Sequence, residues 1–485
     1  MSSFFFRRKI CSRRRRRCPS VFKRKQKAKV QIDHLPQELV AMVVSFLPMK
    51  DAARTSVLSS KWRQGWASYP RLTLNSETML GITGKVNYVS EEEQNKYKMK
   101  FIENVHVVMR QHQGFGVDEF LLEFGLSDRD AHHIDNWVTL AASMRMKRLV
   151  INLSGPSLEC KIVPEKYALP LQLLDDIGTI KRLRNLQLSN LSLKPMGDFR
   201  GFVNLTMLEL QLVDVTEVDL ESLLCKCPAL ERLALNTCGP FMSLRIGHEL
   251  SRLEHLCLGD GTLVEKLQIE AMNLRTISHS YNVGEIVIRK DSQISEVTAD
   301  MYIPPRTQVG NGYKDTLQYM FTGLPSTLPC VQKVSLNIWE DIQTLEVPNC
   351  ASRFMHLRHL TLSMYLDFHW KFDILRLIHL LQAAPFLEHF ELNIDQLLLP
   401  LYDEDLIPSF PRWPHDHLKT ASFQGFVANK DLIALATYIL KNAESLQLMS
   451  VQTTHECHWM VTEELLRRED LRNVLNYTLY NFHSV

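Results

Sequence analysis

Through the middle of the chain a unit of the form apolar-x-x-apolar-x-apolar keeps returning. It reads Leu183/Leu186/Leu188, Leu205/Leu208/Leu210, Leu230/Leu233/Leu235 and Leu253/Leu256/Leu258, with starts 22, 25 and 23 residues apart. Val283/Ile286/Ile288, Val331/Val334/Leu336, Leu357/Leu360/Leu362 and Leu387/Phe390/Leu392 repeat the spacing, the last two intervals being 26 and 30. Strict alternation of the last two apolar positions specifies a short strand with one buried face. A different texture precedes it. Between Ile32 and Pro70, Leu35, Leu39, Val43 and Phe46 or Leu47 recur at helical spacing. Pro36 can start that helix and Pro48 can stop it.

Strands of this form at a period of 20 to 30 residues are the signature of leucine-rich repeats. One unit cannot bury its own apolar face, so stacked units share a continuous core. Segments such as Leu220 to Cys227 and Phe372 to Ala384 read as the helices of the convex side. The alternating outward positions form the concave face: Asn185, Gln187, Met207, Glu209, Gln211, Arg232, Asn236, His255, Lys333, Asn337, His359, Thr361, His389, Glu391 and Asn393. Asn185, Gln187, Glu209, Gln211, Arg232, Asn236, His359 and Glu391 are the candidate target contacts. Such a face suits a protein or peptide, and a small-molecule co-ligand within the repeat curve is compatible with it. Asp291 to Pro329 interrupts the pattern and reads as a long loop.

In the region 32–70, a second helix is expected from Lys50 or Asp51, carrying Ala52, Ala53 and Val57, and a third over Ser60 to Trp66. Three short helices cannot bury all their apolar positions among themselves, so a partner should cover some of them. The run LPQELVAMVVSFLPMKDAARTSVLSSKWRQGW resembles a plant-type F-box. Leu-Pro stands at 35 and 36, Ser-Phe-Leu-Pro at 45 to 48, and Arg54 to Ser59 precede Trp62 and Trp66. The resemblance implies a docking module for the Skp-type adaptor of an SCF ubiquitin ligase and, through it, a cullin-based ligase. It carries adaptor contact to Leu35, Pro36, Leu39, Val40, Val43, Leu47 and Val57, while Leu58 and Trp62 hold the helices together. Gly65 departs from the larger apolar residue expected before Trp66.

After Pro70 the sequence predicts a polar connector from Asn75 to Lys100, a helix over Phe101 to Arg110, a strand over Glu119 to Phe124 and a helix over Asn136 to Met146. Beyond Pro414 come a strand over His417 to Phe426, a helix over Asp431 to Asn442 and a strand over Glu444 to Val451. That order resembles the FBD domain of plant F-box proteins, closing the stack as one more repeat. The expected architecture is α/β. It comprises an arm (1–30), a three-helix F-box (31–72), a connector with irregular first repeats (73–148), a leucine-rich-repeat horseshoe (149–410) and an FBD-type cap with tail (411–485).

Composition adds one asymmetry. Of 485 residues, 45% are apolar, and the net charge is only +2. Yet residues 7–29 hold thirteen Lys or Arg and no acid, which leaves the remainder at −11. So concentrated a basic run cannot pack. It reads as a nuclear-import signal, as an electrostatic contact for nucleic acid, chromatin or anionic lipid, as an organelle transit peptide, or as a tail without a dedicated partner. The expected location is nucleus and/or cytoplasm. No apolar run approaches the roughly 20 residues of a membrane span, and the ten cysteines lack zinc-knuckle spacing and suit a reducing compartment.

Catalytic patterns are weak. In His455-Glu456-Cys457-His458 the histidines are three apart, not the four of a metalloprotease helix. His132-His133 stands isolated in the sequence, and no phosphate-binding glycine loop or serine elbow is present. The expectation is a non-catalytic adaptor without cofactor or metal. It would be the substrate-recognition subunit of an SCF-type ligase, with a nuclear nucleic-acid binder using the basic arm as the alternative.

Overall fold

The computed structural model describes residues 35–83, 91–112, 117–154, 165–302, 328–339, 354–366, 375, 377–396, 410, 412–426 and 430–453, with short breaks at 176, 194–196, 198, 281–282 and 290–292. The basic arm, His455 to His458 and most of 303–353 lie outside the described residues.

Three helices open the chain: α1 (Gln37–Ser45), α2 (Met49–Thr55) and α3 (Ser60–Ala67). Pro36 and Pro48 stand at the N-caps of α1 and α2, where a missing N–H costs nothing. Helix α2 ends at Thr55, so Val57 sits in the turn that follows rather than on the helix. Gly65 is buried, and a Cβ there would lie 3.1 Å from Val44 Cγ2. The glycine that breaks the sequence pattern is what lets α3 close onto α1.

A 14-stranded parallel sheet carries the rest. Its strands in spatial order are β1 (Arg71–Asn75), β2 (Glu119–Glu123), β3 (Arg148–Asn152), β5 (Asn185–Ser189), β7 (Met207–Gln211), β8 (Arg232–Asn236) and β10 (His255–Leu258). There follow β12 (Thr276–Ser280), β14 (Glu296–Tyr302), β15 (Lys333–Trp339), β16 (His359–Leu366), β17 (His389–Gln396), β18 (Thr420–Phe426) and β19 (Leu448–Thr453). Spatial order equals chain order, the mark of a solenoid in which each repeat pairs only with its neighbours. The alternating apolar positions, Leu186/Leu188 to Leu360/Leu362, are buried and join one continuous core. Behind the sheet lie β4 (Ala168–Leu169) with β6 (Ser192–Leu193), and a three-stranded ribbon of β9 (Phe241–Ile246), β11 (Val264–Ile269) and β13 (Val283–Ile288).

Several expectations change. The main sheet begins at Arg71, because Leu72/Leu74, Phe120/Leu122 and Leu149/Ile151 already carry the two-residue alternation. The expected connector contains α4 (Ser76–Leu80), capped by Asn75, and the first turns of the 21-residue α5 (Glu91–Gln111). The unit at Val283 belongs to the rear ribbon, and the main-sheet strand there is β12. Its inward pair is Ile277 and His279, the latter 3% exposed. A histidine in an apolar slot hid the true strand, while Ile286/Ile288 imitated the spacing. The expected loop after Asp291 contains β14, whose inward residues are Val297 and Ala299. Among the described residues no helix is long and apolar enough to cross a membrane.

Candidate functional site: a two-faced helix and an open sheet face

Helix α1 carries two apolar faces. Val40 and Val44, four apart, are 1% and 0% exposed and pack inward against α3 and its Trp62 and Trp66. Leu39, Met42, Val43 and Phe46 follow the i, i+3, i+4, i+7 spacing and lie in solvent, with Phe46 74% exposed. Val57 and Leu58, in the turn before α3, are 80% and 66% exposed. Exposed apolar side chains clustered at this density in so small a module mark an interaction surface.

The adaptor-contact residues carried over from the F-box resemblance therefore divide. Pro36, Leu39, Val43 and Val57 are exposed, while Leu35 and Leu47 are partly buried against the core. Val40 is a correction: one residue along a helix turns the side chain by about 100°, which places it in the core. Leu58 is corrected in the opposite sense, since it faces solvent instead of holding the helices together, whereas Trp62 is buried. Met42 and Phe46 join the surface positions, Phe46 having stood in the sequence only as an alternative to Leu47 on the helical stripe. Their signal was present in the sequence as a second apolar stripe, offset from Val40/Val44.

The module is joined to the sheet by specific bonds. Tyr69 Oη donates to the Leu47 carbonyl (2.8 Å), Thr73 N–H to Met49 Sδ (3.3 Å), and the Arg71 guanidinium to the Ser45 carbonyl. The buried His112 imidazole bonds the Tyr69 carbonyl (2.9 Å) and stands edge-on to Trp66. Burial lowers the His112 pKa, and that hydrogen bond opposes the shift in part. The helices thus cover the β1 end of the core, and their outward face is held in fixed relation to the sheet.

On the open side of the sheet the candidate target contacts fall in two groups. Asn185, Gln187, Glu209, Gln211, Arg232 and Asn236 lie on the adjacent strands β5, β7 and β8. There Arg148 Nη2 donates to Gln187 Oε1 (3.0 Å), and Gln187 Nε2 to Glu209 Oε2 (2.8 Å). His359 and Glu391 lie on β16 and β17, five and six strands further along, or roughly 24 Å and more at about 4.8 Å per strand. The His359 and His389 rings stack at 4.4 Å, and Thr361 Oγ1 donates to Glu391 (3.4 Å). Partial burial, then the neighbouring His389, lowers the His359 pKa. The eight residues share one face without converging on one point.

The fold also ends the isolation of His132-His133. His106, from α5, brings Nε2 to 3.0 Å from His133 Nδ1 beside Trp137. Among the described residues no group of three or more His, Cys, Asp or Glu is placed to hold a metal ion.

Comparison with known proteins follows this division of the chain. The F-box domain model matches residues 32–73, and the domain model described as At1g61320/AtMIF1, LRR domain, matches residues 108–472. The chain belongs to the plant F-box/FBD/leucine-rich-repeat family. It is 24% identical to F-box/FBD/LRR-repeat protein At4g26340 of Arabidopsis thaliana over 86% of this chain and 91% of that protein. FBD-associated F-box protein At5g22730 of the same plant is 22% identical over 90% of this chain and 91% of its own length. Putative FBD-associated F-box protein At5g22720 is 28% identical over 42% of this chain and 38% of its own length.

Proposed function

We propose that this protein is the substrate-recognition subunit of an SCF-type ubiquitin ligase. The helices over residues 37–67 dock a Skp-type adaptor and, through it, a cullin-based ligase, while the open sheet face holds a target protein. The outward apolar stripe of α1 carries this reading: Leu39, Met42, Val43 and Phe46 stay in water although α1 is otherwise packed. Burying such side chains contributes roughly 1.5–3 kcal/mol each. The chain would supply proximity, raising the effective concentration of a target lysine near a ubiquitin-loaded enzyme, with the bond chemistry left to other subunits.

Co-purification with a Skp-type adaptor tests the reading. The full chain should retain the adaptor through gel filtration and Phe46→Asp should not; a wild-type chain that elutes free of adaptor ends the proposal. The location is proposed to be nucleus and/or cytoplasm, with residues 7–29 directing import. A fluorescent fusion lacking those residues should shift to the cytoplasm.

A further inference from the structure

The outward positions along the middle of the sheet are part-buried, and the charges on that face are unevenly placed. Unbroken parallel register from β7 to β17 turns equivalent outward positions into rows that cross the strands. In the middle row every position from Ala234 on β8 to Thr361 on β16 is alanine, cysteine, serine or threonine, and a glutamate closes each end: Glu209 on β7 and Glu391 on β17. Seven strand steps separate the two, about 34 Å at roughly 4.8 Å per step, which an extended chain covers with about ten residues.

The two carboxylates differ from Glu296 and Glu388 nearby. Glu296 is paired with Lys333 at 2.6 Å, and Glu388 with Lys419 at 2.5 Å and Arg358 at 3.6 Å. Neither Glu209 nor Glu391 has an ion-pair partner among the described residues; each accepts one neutral hydrogen bond, from Gln187 and Thr361 respectively. Arg232 lies diagonally from Glu209, in the next row. On the far side of the trough Asn393 donates through Nδ2 to Ser363, and its Oδ1 is buried without a hydrogen-bond partner among the described residues. Small side chains allow a backbone to approach closely. Two uncompensated carboxylates favour basic groups and repel phosphates.

We propose that this face binds an extended polypeptide segment of the target, laid across the strands, with small side chains over the trough and a lysine or arginine at each end, about ten residues apart, paired with Glu209 and Glu391. The proposal rests on the substrate-recognition reading and gives the target a chemistry.

Selection of a random dodecapeptide phage library on the purified full chain tests it. Enriched peptides should carry two basic positions near their ends with small residues between. Glu209→Gln and Glu391→Gln should each weaken a selected peptide about fivefold, Thr298→Trp should abolish its binding, and selection on Glu391→Lys should replace one basic position by an acid. Circular dichroism checks that each variant is folded. Enrichment of acidic or aromatic peptides, no enrichment, or an unchanged preference in Glu391→Lys overturns the proposal. Enrichment seen only after deletion of residues 7–29 assigns the face to the chain's own basic arm and overturns it too. Adaptor capture, measured on the same preparations, separates the two readings. Capture without such peptides sinks this inference alone, and such peptides without capture sink the ligase reading alone.

Discussion

At the residue scale, neighbouring positions on α1 perform opposite tasks. Val40 is enclosed and Leu39 is not, so the two should separate in experiment. Val40→Ala removes two buried methyl groups and should cost about 1–3 kcal/mol in urea unfolding. Leu58→Asp, at an exposed site, should leave the unfolding midpoint within about 0.5 kcal/mol of wild type yet abolish adaptor capture. Equal loss of stability in both variants would refute the assignment of faces. His415 offers a pH test. Its ring is 4% exposed, bonds Tyr438 Oη at 3.1 Å, and burial pushes its pKa down to about 4. Folding therefore favours the neutral ring. This contribution is complete above the unfolded pKa near 6.5, shrinks as pH falls because the unfolded chain takes up the proton first, and is gone below about 4. The melting temperature of wild type should fall between pH 6.5 and 4 by several degrees more than that of His415→Gln.

At the element scale, a helix satisfies the free edge of the rear ribbon. Helix α6 (Glu217–Cys225) lies along β9, the edge strand of the rear ribbon, and its carboxylates take up the strand's free donors. Glu217 Oε1 accepts the Met242 and Ser243 N–H groups, and Glu221 Oε1 accepts that of Arg245 at 3.1 Å. Glu217→Ala with Glu221→Ala should cost about 1 kcal/mol per lost bond and expose a pairing edge, seen as lower urea resistance and concentration-dependent scattering. Gly425 solves a different problem within β18. It sits at the register shift between Gln424 and Phe426 with φ +68°, and a Cβ would collide with the Ile394 carbonyl. Gly425→Ala should destabilise the chain by more than 1 kcal/mol, about what positive φ alone costs; an unchanged unfolding curve would show that the strand can shift.

For the molecule as a whole, the helices over residues 37–67 are as much a cap as a docking module. Trp66, Tyr69, Leu72 and Leu74 belong to one core cluster, so deletion of residues 35–70 would leave the β1 end of that core open. A chain beginning at Arg71 should aggregate or bind a hydrophobic dye, whereas deletion of residues 1–30 should leave the melting temperature unchanged. A soluble, cooperatively folded chain without the helices would show that the cap is dispensable. At the other end β18, its helix α7 (Lys430–Asn442) and β19 continue the ladder, in keeping with the relatives named for an FBD unit.

The repeat architecture was legible because alternation of Leu and polar residues encodes strand burial locally, wherever the inward slots are apolar. It became illegible at β12, where His279 fills such a slot, and at β14, where Ala299 weakens the signal. The docking module was legible as helices with excess apolar residues. Which of two stripes on α1 faces water was not, because hydrophobicity marks a wish for burial without naming the neighbour that provides it. Likewise local alternation puts Glu209 and Glu391 on the outer face. That they close the two ends of one row emerges from the folded sheet alone, since it depends on strand register between segments about 180 residues apart, which no local pattern records.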